Sequence, residues 1–306
     1  MDINNKTTIQ FPDDFFKEEE RCGYHVSSKL KKVWAIELDL LNELLKVCQK
    51  HDIQVCVFAG TILGAVRHHG FIPWDDDIDV ALTRDNYEKL VKVAPFEFKN
   101  QYFFQTALND QQFFLGYARL RNSLTTGLIK WNESPNYNNG IYIDVFVLDG
   151  IIDDAKKLQS QIKMRDNCEH LIRCYYLSGQ SRNVLVKMTK KFLNKTYCKM
   201  VSYETKVSDY DRIISQYTDK TDKIGLMTHP MSFIKKYWCS KEDVVNLTWV
   251  DFENIKVPIP TNYDAILRNM YGDYMKFPPI EQRGMWHDGI LEFEPDIPYK
   301  EYLKKL

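Results

Sequence analysis

The sequence lacks most of what would sort it into a specialised class. It has no internal repeat and no low-complexity linker to divide it. Net charge is only −1, so the bulk balance gives no hint of a nucleic-acid partner, and any basic surface must be local. The longest stretch free of charge, Gln54 to Val66, is too short to span a bilayer. None of the cysteines (22, 48, 56, 168, 174, 198 and 239) forms a CxxC pair, and their odd number fits a reduced, intracellular compartment better than a disulfide framework. The first residues, "MDINNKTTIQFPDDFFKEEE", are polar and acidic without the apolar core of a signal peptide. A soluble or peripheral cytoplasmic protein is the expectation. Wholesale disorder is excluded, because 44% of the 306 residues are hydrophobic and only 27% charged.

What is present alternates helical and strand patterns. Val33, Ile36, Leu40, Leu44 and Val47 recur at helical spacing from about residue 28 to 51, and Ser27 or Ser28 can cap the start. "QVCVF" (54–58) reads as a strand, and a short helix opens at Gly60 and ends by Gly70 and Pro73. "DIDVAL" (77–82) alternates as a strand, and "TRDNYEKLVKVAP" reads as a helix closed by Pro95. Strands are expected at 102–107, 113–121 and 140–148, and two or three helices between 153 and 217. "LTWVDFENIKVPIP" reads as a hairpin, followed by a helix in "NYDAILRNMYGDYM" and a proline-rich tail. The expected organisation is an extension (1–27), an α/β core with a mixed β-sheet (28–150), a helical region (151–230) and a C-terminal part that completes the site (231–306).

Asp75, Asp76, Asp77 and Asp79 crowd into five positions between Trp74 and an apolar run. In a strand, Asp77 and Asp79 share a face roughly 6–7 Å apart, while Ile78 and Val80 face the core. Carboxylates that close repel unless a cation sits between them. Oxygen ligands of this kind suit Mg²⁺ or Mn²⁺, shared with substrate phosphates. A solvated turn is the bland alternative, but the run leads straight into an apolar strand. An EF-hand fails, because its glycine position is Val80 and its closing glutamate position is Asn86.

In "GIYIDVFVLDG", Asp144 interrupts a run of strand formers, where a lone carboxylate is costly without a cation or hydrogen bonds. An edge strand facing water would also tolerate it. On a strand beside Asp77 and Asp79 it would be a third metal ligand, a general base toward a hydroxyl, or both. Upstream, "AGTILGAVR" offers a phosphate what it needs: close backbone approach at Gly60, N–H groups at a helix start, the Thr61 hydroxyl and the Arg67 guanidinium. Arg119 and Arg121, on one strand face of "GYARLRNSLTTG", are further phosphate candidates, equally readable as surface arginines.

Gly60-Thr61, then Asp77-Ile78-Asp79, then a later strand aspartate is the ordering seen in the nucleotidyltransferase fold of polymerase beta-like enzymes. The longer string "GTILGAVRHHGFIPWDDDIDVAL" more closely resembles the LicD family of phosphotransferases, relatives of fukutin and the fukutin-related protein. "IYIDVFVLDG" and "LRNMYGDYMKFPP" are similar to that family's later blocks, so the resemblance covers roughly 30–150 and 255–290. One departure is Ala59, where the family and its superfamily often place a glycine before the Gly60 position.

The resemblance implies transfer of a phosphorylated alcohol, commonly phosphocholine from CDP-choline, to a hydroxyl of a glycan or polyol acceptor, with release of CMP. Asp77, Asp79 and Asp144 would hold the metal. It also implies a basic and histidine-bearing tail, here Arg283, Trp286 and His287, with His287 binding phosphate or stacking on a base. A choline ammonium would favour an aromatic cage, for which Trp74, Trp131, Tyr142 and Trp286 lie in or near the motif blocks. Acceptors of this family are often lipid-carried. A stripe of Lys187, Lys191, Lys195 and Lys199 could then rest on an anionic inner membrane face, although a solvated helix face explains it as well. Two rivals use the same residues: a true nucleotidyltransferase moving an NMP from an NTP, and a non-catalytic binding protein on the same fold.

Overall fold

The computed structural model describes residues 3–110, 112–129, 137–175, 196, 200–284 and 291–305. A short hairpin, β1 (Glu19–Arg21) and β2 (Tyr24–Val26), leads into α1 (Ser28–Lys50). Ser27 caps that helix, its Oγ accepting the Leu30 N–H at 3.2 Å. The helical spacing of its apolar residues places Val33, Ile36, Leu40 and Leu44 fully inside the core. Then come β3 (Cys56–Val57), α2 (Ala59–His68), β4 (Asp79–Thr83), α3 (Arg84–Glu97), β5 (Tyr102–Gln105), β6 (Ala118–Asn122), β7 (Thr126–Ile129) and the long β8 (Ile141–Gly150). Beyond it lie α4 (Ala155–Arg173), α5 (Tyr203–Ser215), β9 (Lys223–Gly225), α6 (Met231–Ile234) and β10 (Trp238–Ser240). The hairpin β11 (Leu247–Phe252) and β12 (Ile255–Pro260), α7 (Tyr263–Tyr271), β13 (Leu291–Glu294) and α8 (Tyr299–Tyr302) complete the described elements.

Seven strands form one mixed sheet, giving the α/β class expected. Its path is β10-β9-β8-β4-β3. β4 and β8 run parallel, while β6 lies antiparallel along the first half of β8 and carries β5 on its outer side. β9 takes up the end of β8 at Asp149 and Gly150. Because β8 is buried on both faces, it reads as a nearly continuous apolar run. A large core joins the sheet to α1, α2 and α7, and a smaller one gathers Ile172, Tyr210 and Ile214 of α4 and α5 around Phe114 and Ile151.

Several boundaries differ from the sequence reading for physical reasons. β4 begins at Asp79, so Asp77 stands just before the strand. The strand expected at 113–121 starts only at Ala118, because Phe113 and Phe114 are apolar to fill buried space and not to extend a ladder. α3 continues past Pro95 to Glu97, since Ala94 still accepts the Phe98 N–H at 3.0 Å and closes the last turn. The first 27 residues contribute to the core through Ile3 and Phe11, and the buried Lys6 ammonium donates to Leu124 O at 2.9 Å and Pro295 O at 2.8 Å. Trp131, Trp286, His287 and the lysine stripe of 183–200 lie outside the described residues. Among the described residues no helix is long and apolar enough to cross a membrane, and the six described cysteines are free.

Candidate active site

The site is built where β3 turns directly into α2. Ala59 makes that turn at φ +47°, a left-handed conformation that costs a residue with a Cβ about 1 kcal/mol or more. Gly60 follows: a Cβ there would sit 3.0 Å from Asp75 Oδ2. The absent side chain lets the Asp75 carboxyl group lie against the helix start. The Thr61 hydroxyl oxygen accepts the Asp79 N–H at 2.8 Å, and the Phe58 N–H donates to Asp79 O at 2.9 Å. Thr61 is buried and ties α2 to β4.

Register brings the charged groups together. Asp79 of β4 lies directly opposite Asp144 of β8, which in turn lies opposite Arg119 of β6. Residues paired this way share one sheet face, so carboxylate, carboxylate and guanidinium form a row. Arg119 Nε donates to Asp144 Oδ1 at 2.6 Å, while its second contact, to Oδ2, is stretched to 3.5 Å. Five residues on, Asp149 points to the opposite face. There it accepts from Arg84 Nε and Thr218 Oγ1, both at 2.9 Å, and serves the fold.

Asp77, Asp79, Asp144 and Arg119 line one cavity of about 290 Å³. The three carboxylates whose oxygens lie within 4.8 Å of one another, however, are Asp75, Asp76 and Asp77. Burial pushes the Asp75 and Asp79 carboxyl groups well above the usual range, and the charge of Asp77 adds to the rise in both. Beneath them, Glu37 of α1 is fully buried and its Oε2 has no hydrogen-bond partner. Its carboxyl group is also driven well up, first by burial and then by Asp77, Asp76, Asp75 and Asp79. Sequence reasoning missed Glu37, whose only signal is an acid on the apolar face of a helix. Trp34, one turn away on α1, fixes the same loop by donating from Nε1 to Asp75 O at 3.0 Å. Oxygen-only donors, mutual repulsion and an orphaned carboxylate oxygen are the properties of a site suited to a hard divalent cation.

The remaining candidates divide. Arg67 lines a second cavity, of about 640 Å³, with Gly60, Trp74, Asp75 and Phe277. Its guanidinium donates to Tyr274 O at 2.6 Å. Arg121 shares its strand face with Arg119 and is likewise buried, bonded to Gln105 Oε1 and, at 2.6 Å, to Gly140 O. It does not line either cavity. Tyr142 carries the Arg119 guanidinium 3.6 Å from its ring centroid, so that face is already covered.

Much of the remaining lining of the smaller cavity is aromatic. Tyr117 and Phe146 meet edge to face at 4.7 Å, His229 stacks on Tyr117 at 5.7 Å, and Phe233 stacks on Tyr237 at 5.0 Å. Burial lowers the His229 pKa to about 4, so the ring is neutral near pH 7. None of these five residues figured among the sequence candidates. Their rings come from a strand entry, β8 and the segment around α6, and share no motif.

A mixed sheet thus sets carboxylates on adjacent strands beside the start of α2. Residues 52–166 match the family model described as "LicD/FKTN/FKRP, nucleotidyltransferase domain", and the chain carries a LicD-family domain. The chain is 28% identical over 269 residues to the lipopolysaccharide cholinephosphotransferase LicD of Haemophilus influenzae, spanning 84% of this chain and 96% of that one. Shorter matches are to uncharacterised proteins of Rickettsia prowazekii, 33% identical over 26% of this chain and 28% of that one, and of Rickettsia typhi, 35% over 18% of each.

Proposed function

We propose that this protein is a divalent-metal-dependent phosphotransferase. It would move a phosphorylated alcohol, phosphocholine first among the candidates, from a CDP-alcohol to a hydroxyl of a glycan or polyol acceptor. The observation that carries the proposal is the pairing of Asp79 with Asp144 across β4 and β8 in one cavity with Asp77. The relative of near-equal length is named for cholinephosphate transfer. A bound Mg²⁺ or Mn²⁺ would supply charge neutralisation for the diphosphate.

The protein's own groups do the rest. Asp77 and Asp79 would hold the metal, and Asp75 and Asp76 offer carboxylate oxygens within 4.8 Å of that of Asp77. Arg119 fixes Asp144 through Oδ1, which leaves Oδ2 as the oxygen able to take the acceptor's proton. The acceptor oxygen bonds to the phosphorus that bears the alcohol. The bond from that phosphorus to the bridging oxygen breaks, and CMP departs with the electron pair. Such chemistry is mainly positioning and charge stabilisation.

Phosphorus NMR of the purified protein with Mg²⁺, candidate glycans and a panel of CDP-choline, CDP-glycerol and CDP-ribitol tests this. CMP together with a new phosphodiester signal is expected, and both should vanish in Asp77→Asn and Asp79→Asn. Pyrophosphate release from an NTP would point to nucleotidyl transfer instead, and full activity in both variants would overturn the metal role.

A further inference from the structure

The two cavities offer different surroundings to a positive group on a donor. In the larger one, the Trp74 and Phe277 rings already carry the chain's own guanidinium groups. Arg283 lies 5.0 Å from the Trp74 ring centroid and 5.3 Å from that of Phe277, and Arg67 lies 5.1 Å from Phe277. Arg67 and Lys276 balance Asp75 and Asp273 around that cavity. In the smaller one, three carboxylates face a single guanidinium, Arg119, which is already paired with Asp144. Among the described residues, no lysine or arginine lies over Tyr117, Phe146, Phe233 or Tyr237. Phe233 is 41% exposed, unusually open for so large an apolar ring.

Resting on the phosphotransferase reading, we propose that Tyr117, Phe146, Phe233 and Tyr237 form the subsite for a quaternary ammonium on the donor's alcohol. Ring faces attract a cation through their quadrupoles, and methylated ammonium suits such a wall because it sheds water readily. The wall adjoins the carboxylates, so an ammonium two carbons from the reacting phosphate reaches it without leaving the cavity. A neutral polyol would gain nothing from the rings and would leave its hydroxyls facing apolar surface. The arrangement therefore selects choline over glycerol or ribitol by charge, beside the metal ligands.

The test is a ligand-observed NMR titration of the full chain, with Mg²⁺ present. The ligands are phosphocholine and its isostere in which carbon replaces the ammonium nitrogen. Wild-type protein should bind phosphocholine about tenfold more tightly, the order of one desolvated cation–ring contact. Phe233→Leu and Tyr237→Leu should each remove most of that ratio, while Trp249→Leu, on the exposed face of the β11–β12 hairpin, should keep it. Equal affinities, no binding of either ligand, a ratio unchanged in both wall variants or a ratio lost in Trp249→Leu would each overturn the subsite. The outcome is separable from the function itself. A clear ammonium preference without CMP release from any CDP-alcohol would defeat the transferase reading alone. Equal turnover of CDP-choline and CDP-ribitol without such preference would defeat the subsite alone.

Discussion

The two cavities are divided by consecutive residues, Ala59 lining the smaller and Gly60 the larger, yet they are opposite in character. The smaller is acidic with an aromatic wall. The larger balances its charges and has its Trp74 and Phe277 rings covered by arginine. The difference shows that motif proximity is a poor guide to chemistry. Arg67 and Trp74 lie in the most recognisable stretch of sequence but face the larger cavity. His229 and Phe233 lie in a stretch without any motif and face the aspartates.

The sharpest way to break that comparison is to remove charge from the acidic side. Asp79→Asn should lower alcohol-phosphate transfer by about 10²–10³-fold, as loss of one preorganised electrostatic contact typically does. Arg67→Met, on the other side, should act mainly on KM; steady-state kinetics on both variants checks the contrast.

A second contrast lies within one strand. Arg119→Met should abolish most turnover, because it frees Asp144 from its fixed orientation. Arg121→Met should leave turnover per folded molecule intact and cost about 1–3 kcal/mol, because it strands Gln105 and Gly140 O without a donor. Urea denaturation beside activity separates the two.

The third concerns the acids beneath the site. Glu37 has a raised pKa in the folded protein, so the native state holds a proton that the unfolded chain releases above its ordinary range near pH 4. Stability from this group is therefore complete at low pH and declines as pH rises toward the folded value. Metal-free Glu37→Gln should melt higher than wild type at pH 8 and match it near pH 4, as thermal scans would show. The smallest effect belongs to the turn itself. Ala59→Gly should relieve the left-handed strain and, net of added chain entropy, gain under about 1 kcal/mol in the same denaturation assay.

Much of the framework was legible because periodicity and capping are local. The Ser27 cap, the buried stripe of α1 and the β11–β12 hairpin all follow from neighbours in sequence. The neighbourhood of Asp79 and Asp144 was also legible, since a carboxylate inside an apolar strand is costly unless something nearby answers it. Thr61 and Arg121 were not. Both carry the donors or acceptors a phosphate would use, and only the tertiary structure shows the bonds each makes within the fold. Glu37 was missed because a single acid on a helix gives no hint of what lies across from it.

The amino-acid order by itself determined the alternation of helices and strands, the acidic turn after Trp74 and the glycine at the helix start, because each depends on residues within a few positions. Tertiary structure alone decided which arginine meets Asp144, which rings face the aspartates and which acids share a buried space. Those choices depend on strand register and on chain segments far apart in sequence, and no local pattern encodes them.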